Sequence, residues 1–148
     1  MSLQQEVMIK LKEAMKAKDK VALESLRAIK SALLLAQTSG DNKEFTAEDE
    51  IKLVQKLVKQ RKDSATLYKE QGRNDLAEPE LAQAAILAQF LPEQMSEEAL
   101  KEAIQAIVVQ AGATSMKDMG KVMGMASKKL AGKADGKAIS SVVKDLLG

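Results

Sequence analysis

Apolar residues recur along the chain at three- and four-residue spacings, and no stretch alternates with period two, so the pattern predicts helices throughout. Leu3, Val7, Leu11 and Ala14 share a face of the first, opened by Ser2-Leu3-Gln4-Gln5, in which Ser2 caps and Gln5 reaches back. The run from Lys16 to Lys20 closes it. Asp19 caps a second helix, from Lys20 to about Gln37, with Ala22, Leu26, Ile29, Leu33 and Ala36 inward. Thr38 to Asn42 reads as a loop by composition. Thr46-Ala47-Glu48-Asp49 opens a third helix, Ala47 to Gln71, with Ile51, Val54, Val58, Ala65 and Tyr68 inward and Gly72 ending it. Asn74 or Asp75 caps a fourth, which stops at Phe90 or Leu91 because Pro92 disfavours helix in the residue before it. Pro79 falls in or near its first turn, where a missing N–H is tolerated. Ser96 caps a fifth, with Leu100, Ala103, Ile104, Ile107, Val108 and Ala111 inward and Gly112 at its end.

The next segment, Ala113 to Gly136, sorts into three stripes when wound at about 100° per residue. Met116, Met119, Val122, Met123, Ala126 and Leu130 share an apolar arc. Gly120, Gly124, Ser127 and Ala131 form a strip of small side chains beside it, and Lys117, Lys121 and Lys128 line the far edge. Thr114 or Ser115 opens this helix, Gly120 is placed to split off a short first turn, and Gly132 ends it at C′. Two glycines inside a helix cost roughly 1 kcal/mol each against alanine, so the bared backbone is expected to serve something. A groove for a neighbouring helix is the plainer reading; an anionic ligand beside the lysines is the other. Asp135 caps the last helix, where Ile139, Val142, Val143 and Leu146 align.

The fold class is therefore all-α. Leu91-Pro92-Glu93-Gln94-Met95-Ser96 is the expected seam between an N-terminal four-helix bundle over residues 1–92 and a smaller C-terminal helical subdomain of three to four helices over 93–148. No apolar run approaches the roughly 20 residues that span a bilayer, and no signal-like apolar stretch follows Met1, so a cytoplasmic location is the default expectation. Cysteine and histidine are both absent. That removes disulfides, a thiolate nucleophile, the commonest metal ligand and the usual general base near neutral pH. No metal and no cofactor are expected, and an enzyme here would have to run on carboxylates, lysine or serine. The three aromatics, Phe45, Tyr68 and Phe90, are too few and too scattered to stack single-stranded bases.

Charge changes the picture more. The net charge is +2, but residues 112–148 hold seven lysines against three aspartates, so the C-terminal part is the one suited to a polyanion. In the third helix Lys52, Lys56, Lys59, Arg61 and Lys62 have no acid among residues 51–62, and Lys52, Lys56 and Lys59 share a solvent-side arc. That arc is either an ordinary solvated face or a line for a phosphate backbone. Arg61 instead falls among Val54, Val58 and Ala65. An unpaired buried charge costs several kcal/mol, so a carboxylate partner is expected, and Glu80, beside Ala84, Leu87 and Leu91 on the fourth helix, is placed to supply it. Gly132-Lys133-Ala134-Asp135-Gly136-Lys137 has a superficial likeness to a phosphate loop. Its glycines are one residue too close, Ala138 stands where a hydroxyl is required, and no strand precedes it. It reads as a helix–turn–helix corner, whose free N–H groups with Lys133 and Lys137 are suited to a phosphate.

Five stretches carry a resemblance: Lys59-Gln60-Arg61-Lys62-Asp63-Ser64, Gly72-Arg73-Asn74-Asp75-Leu76, Phe90-Leu91-Pro92-Glu93-Gln94, Asp118-Met119-Gly120-Lys121-Val122-Met123-Gly124 and Gly132-Lys133-Ala134-Asp135-Gly136. In this order and spacing the chain resembles the YqeY family, and its C-terminal part is similar to the tail domain of the B subunit of tRNA-dependent amidotransferases (the GatB/YqeY group). Phe90 stands where the family leads one to expect tyrosine. The resemblance implies two all-helical subdomains and a role in holding tRNA beside an aminoacyl-tRNA synthetase or amidotransferase. It links the chain by label to carbon–nitrogen ligases that use glutamine as amido donor, yet carries over no catalytic residue. The expected function is a non-catalytic tRNA-binding accessory module, with Lys117, Lys121, Lys128, Lys133 and Lys137, and Lys52, Lys56 and Lys59, as candidate contacts. The alternative is a protein–protein adaptor that offers its methionine- and glycine-lined groove to a partner helix.

Overall fold

A computed structural model describes residues 2–39 and 45–148; the Gly40, Asp41 and Asn42 part of the expected loop lies outside them. The described residues form seven α-helices and one short 3₁₀ turn, with no strand: α1 (Leu3–Ala17), α2 (Lys20–Thr38), α3 (Ala47–Glu70), α4 (Asn74–Ala88), α5 (Glu97–Ala111), the 3₁₀ turn (Met116–Asp118), α6 (Met119–Lys129) and α7 (Gly136–Leu147). The chain divides into two compact units, Met1–Leu91 and Pro92–Gly148.

Capping chemistry sets most helix starts. Gln5 N–H donates to Ser2 Oγ while Gln5 Oε1 accepts from Ser2 N–H at 3.0 Å. Thr46 and Asp49 repeat that exchange at the start of α3. Single side-chain caps come from Asp19 to Ala22 N–H (3.1 Å) and from Ser96 to Ala99 N–H (3.2 Å). Each satisfies an otherwise orphaned amide, a contribution of typically about 1 kcal/mol.

In the first unit α1 packs on α2, α2 on α3 and α4, and α3 on α4. Leu3, Val7, Leu11 and Ala14 meet Leu26, Ile29 and Leu33, with Val54 and Val58 of α3 and Ala84 and Leu87 of α4 completing the core. Ser25 is fully buried among them, and its hydroxyl donates to the Val21 carbonyl at 2.9 Å, which removes the cost of burying it. α3 turns into α4 through Gly72 at φ +73°, a left-handed position that favours glycine.

α4 departs from expectation at both ends. Its N-cap is Arg73, which offers no capping side chain; neither Asn74 nor Asp75 caps it. The Asp75 carboxylate is taken instead by the Arg73 guanidinium, Nε to Oδ1 at 3.0 Å and Nη2 to Oδ2 at 2.9 Å. With Asn74 as first helical residue, Pro79 is the sixth, beyond the first turn, so it withholds one i→i−4 hydrogen bond. The helix ends at Ala88; Gln89, Phe90 and Leu91 N–H groups then donate to carbonyls three residues back, a tightening that turns the chain before Pro92.

In the second unit α5, α6 and α7 pack on one another. Leu100, Ile104 and Ile107 meet Val122, Ala126 and Leu130, and Ile139, Val143 and Leu147 close the core. Val142 and Leu146, expected inward, are only partly buried, and the unforeseen Leu147 takes a core place. Ser115 opens this stretch as the N-cap residue of the 3₁₀ turn, but neither its side chain nor that of Thr114 makes a capping hydrogen bond. The reverse holds: Asp118 Oδ2 accepts from Thr114 N–H at 3.0 Å. A 3₁₀ turn has three residues per turn, so it puts Met116 out of phase with the α6 arc; Met116 is exposed. α6 ends at Lys129, so Gly132 (φ +76°) is not at C′ but forms the left-handed step of the following turn, with Lys133 N–H donating to the Leu130 carbonyl.

Candidate nucleic-acid interface

Burial of Val122 and Ala126, both fully enclosed, fixes the rotation of α6. Met119 and Met123 lie half-buried beside them on the same core. The opposite side, bearing Gly120, Gly124 and Ser127, then faces solvent. A Cβ built on Gly120 or Gly124 meets nothing within 4 Å. Among the described residues of the second unit no helix packs on Gly120 or Gly124, against the expectation of a groove filled by a neighbouring helix there. α6 is held through Val122, Ala126 and the partly buried methionines beside them, and its glycine side is left open.

Lys117 and Lys128 are exposed along that edge, and no ion pair holds either among the described residues. Lys121 is exposed too, but its Nζ donates to the Ala111 carbonyl at 3.2 Å, where α5 leaves carbonyls without helical partners. The charge also opposes the negative end of the α5 dipole. Lys129, not among the expected contacts, bonds the Gln110 side chain on the same last turn of α5. Two lysines of α6 are thus engaged with α5, and the free edge narrows to Lys117 and Lys128.

Lys133 and Lys137 flank the start of α7. Asp135 caps that helix, accepting from Ala138 N–H at 2.7 Å, so one carboxylate already lies at its positive end. The backbone of the corner is pinned from the opening segment of the unit. Met95 N–H donates to the Lys133 carbonyl at 2.9 Å, and Gln94 Nε2 to the Gly132 carbonyl at 2.6 Å. Both lysine side chains remain exposed. The Gln94 anchor went unread in sequence, since nothing local marks a partner 38 residues away.

The first unit's basic arc is different. Lys52 lies 3.4 Å from Glu48, and Lys59 3.6 Å from Asp63, each an i,i+4 pair on the helix surface. Such pairs contribute about 0.3–0.5 kcal/mol, but they neutralise two of the three cations, leaving Lys56. Arg61 and Glu80 form the expected ion pair across α3 and α4, Nε to Oε2 at 3.9 Å. Neither atom has a hydrogen bond. The apolar groove between α1 and α2, lined by Val7, Met8, Leu33 and Leu34, includes none of the candidate lysines. Among the described residues no helix is long and apolar enough to cross a membrane, and no group of three acidic residues is gathered as for a metal ion.

The family described as Yqey-like protein matches residues 4–147. The chain belongs to the YqeY family. It is 27% identical over 146 residues to Altered inheritance of mitochondria protein 41, mitochondrial, of Pyrenophora tritici-repentis, a match covering 93% of this chain and 77% of the relative. It is 33% identical over 96 residues to Uncharacterized protein C22F3.15 of Schizosaccharomyces pombe, covering 64% of this chain and 76% of that protein. Neither name states a ligand or a reaction.

Proposed function

We propose that this YqeY-family chain is a non-catalytic tRNA-binding accessory module of the cytoplasm, working beside an aminoacyl-tRNA synthetase or amidotransferase and needing no cofactor. The motif resemblance to amidotransferase tail domains supplies the partner. The observation that carries the reading is the unneutralised set of Lys117, Lys128, Lys133 and Lys137 in the second unit, against an α3 arc where two of three lysines are paired on their own helix. Phosphate contacts of that kind give affinity without sequence preference. Lys121 belongs to the same face but has a second task at α5. In a filter-binding titration with tRNA at several salt concentrations, reversing any one of the four to glutamate should weaken binding and flatten the salt slope by about one unit or less per contact. Melting should stay unchanged, because all four side chains are exposed. Wild-type affinity in the quadruple variant would refute this face as the RNA site.

The open strip at Gly120 and Gly124 favours a second reading, an adaptor that takes a partner helix against bare backbone. Salt separates the two: phosphate binding falls steeply as salt rises, whereas docking of an apolar helix does not.

A further inference from the structure

Four of the chain's eight methionines fall within residues 116–125. Three of them, Met119, Met123 and Met125, are partly buried and pack on the core of the second unit. Wound at about 100° per residue, Met119 and Met123 lie on one flank of the Val122–Ala126 seam and Met125 on the other. Their thioethers are therefore within reach of a small solute while still contributing to packing. Met116 and, in the first unit, Met15 are exposed, at 45% and 58%. Cysteine is absent, so methionine sulfur is the side chain most open to two-electron oxidation.

α6 is poorly equipped to survive loss of that packing. It has 11 residues, with Gly120 in its first turn and Gly124 at its middle, and a helix so short and glycine-bearing is held by its buried face rather than by propensity. We propose that Met119, Met123 and Met125 form a peroxide-modification site whose oxidation releases α6 from the core. A sulfur lone pair attacks one oxygen of a hydroperoxide, the O–O bond breaks, and the departing oxygen takes up a proton. Sulfur is oxidised by two electrons to the sulfoxide, and the peroxide is reduced to water or an alcohol. The new oxygen is a strong acceptor placed at the edge of the second unit's apolar core, whose buried residues, Leu100, Ile104 and Val143 among them, offer no side-chain donor. The site stands independently of the tRNA reading.

The test treats the full chain with graded hydrogen peroxide, maps sulfoxides by peptide mass, and follows each sample by thermal melting and by hydrogen exchange of residues 119–129. Met15 and Met116 should oxidise first with no change in the melt. Sulfoxide at Met119, Met123 or Met125 should lower the midpoint by roughly 5 °C or more and speed exchange in α6. Treatment with methionine sulfoxide reductases of both stereospecificities should reverse both effects. A Met119→Leu, Met123→Leu, Met125→Leu variant, close to volume-conserving, should keep its midpoint after the same dose; should it fold poorly, each single Met→Leu variant should lose its own share of the shift. The proposal is overturned if the three sulfurs stay unmodified in the folded chain after Met15 and Met116 are fully oxidised. It is equally overturned if the oxidised protein melts as before, or if the leucine variants lose as much stability as the parent.

Discussion

Removing the Arg61 side chain tests how a charge is held between α3 and α4. Arg61 Nε and Glu80 Oε2 are 3.9 Å apart, with the two side chains 29% and 24% exposed. At an effective dielectric of about 20 the bare attraction at such a distance is about 4 kcal/mol. Desolvation of both ions and their remaining contact with water cancel most of it. Neither atom is hydrogen-bonded, so the pair also lacks the directional bonds that make forked arginine–carboxylate contacts strong. The net cost of Arg61→Ala should then fall between that of exposed pairs, about 0.2–1 kcal/mol, and dry buried ones, about 3–5, at about 1–2 kcal/mol. Urea unfolding of Arg61→Ala, Glu80→Gln and the double variant should give a coupling of about 1 kcal/mol, while Arg61→Met with Glu80→Leu should fold within about 0.5 kcal/mol of the parent, because apolar replacements leave no stranded charge. Lys56→Ala, an exposed control on the same helix, should move stability by less than about 0.5 kcal/mol. Additive effects, with coupling below about 0.3 kcal/mol, would refute the argument, as would an Arg61→Ala loss no larger than that of Lys56→Ala.

Two further outcomes follow from particular contacts. Gly124→Leu should fold and melt no lower than the parent, with a gain of up to about 1 kcal/mol from helix propensity, because a Cβ there meets nothing within 4 Å; a destabilised variant would mean the strip is covered after all. The Arg73 guanidinium hydrogen-bonded to Asp75 holds that carboxyl below the usual 3.8. The ionised form is the one favoured in the fold, so this contribution is present above the unfolded-chain value and is lost as pH falls through the lower folded one. A carboxyl-carbon NMR titration should show a midpoint below 3.8 that Arg73→Gln restores; a midpoint at or above it in the parent would contradict the contact.

Local chemistry was readable wherever both partners lie within one helical turn. Ser2 with Gln5, Thr46 with Asp49, and Asp19, Ser96 and Asp135 as caps all depend on residues three apart, and the sequence alone identifies them. The core stripes were readable for the same reason, since one buried face repeats every three or four residues. The start of α4 was not, because three adjacent polar residues compete there and Arg73 takes the carboxylate that would have capped. The α6 glycines show the deeper limit. A helical wheel finds a strip of small residues but says nothing of what lies across it, which depends on where distant segments run.

The two basic faces separate these cases. Counted within residues 51–62, the α3 cations have no acid, yet Glu48 stands four residues before Lys52 and Asp63 four after Lys59. That neutralisation is local and legible, since Glu48 lies three residues before Ile51 and Asp63 directly follows Lys62. Lys121 is the opposite case. Its partner is a backbone carbonyl at the end of α5, ten residues back, reached only because the 3₁₀ turn and the Val122–Ala126 seam bring α6 against α5. No charge count reveals a carbonyl left open by a helix end. A basic face read from sequence should therefore be counted with its flanking turns on the same helix. Its members count as free cations only once the nearest helix C-termini are known to have other partners.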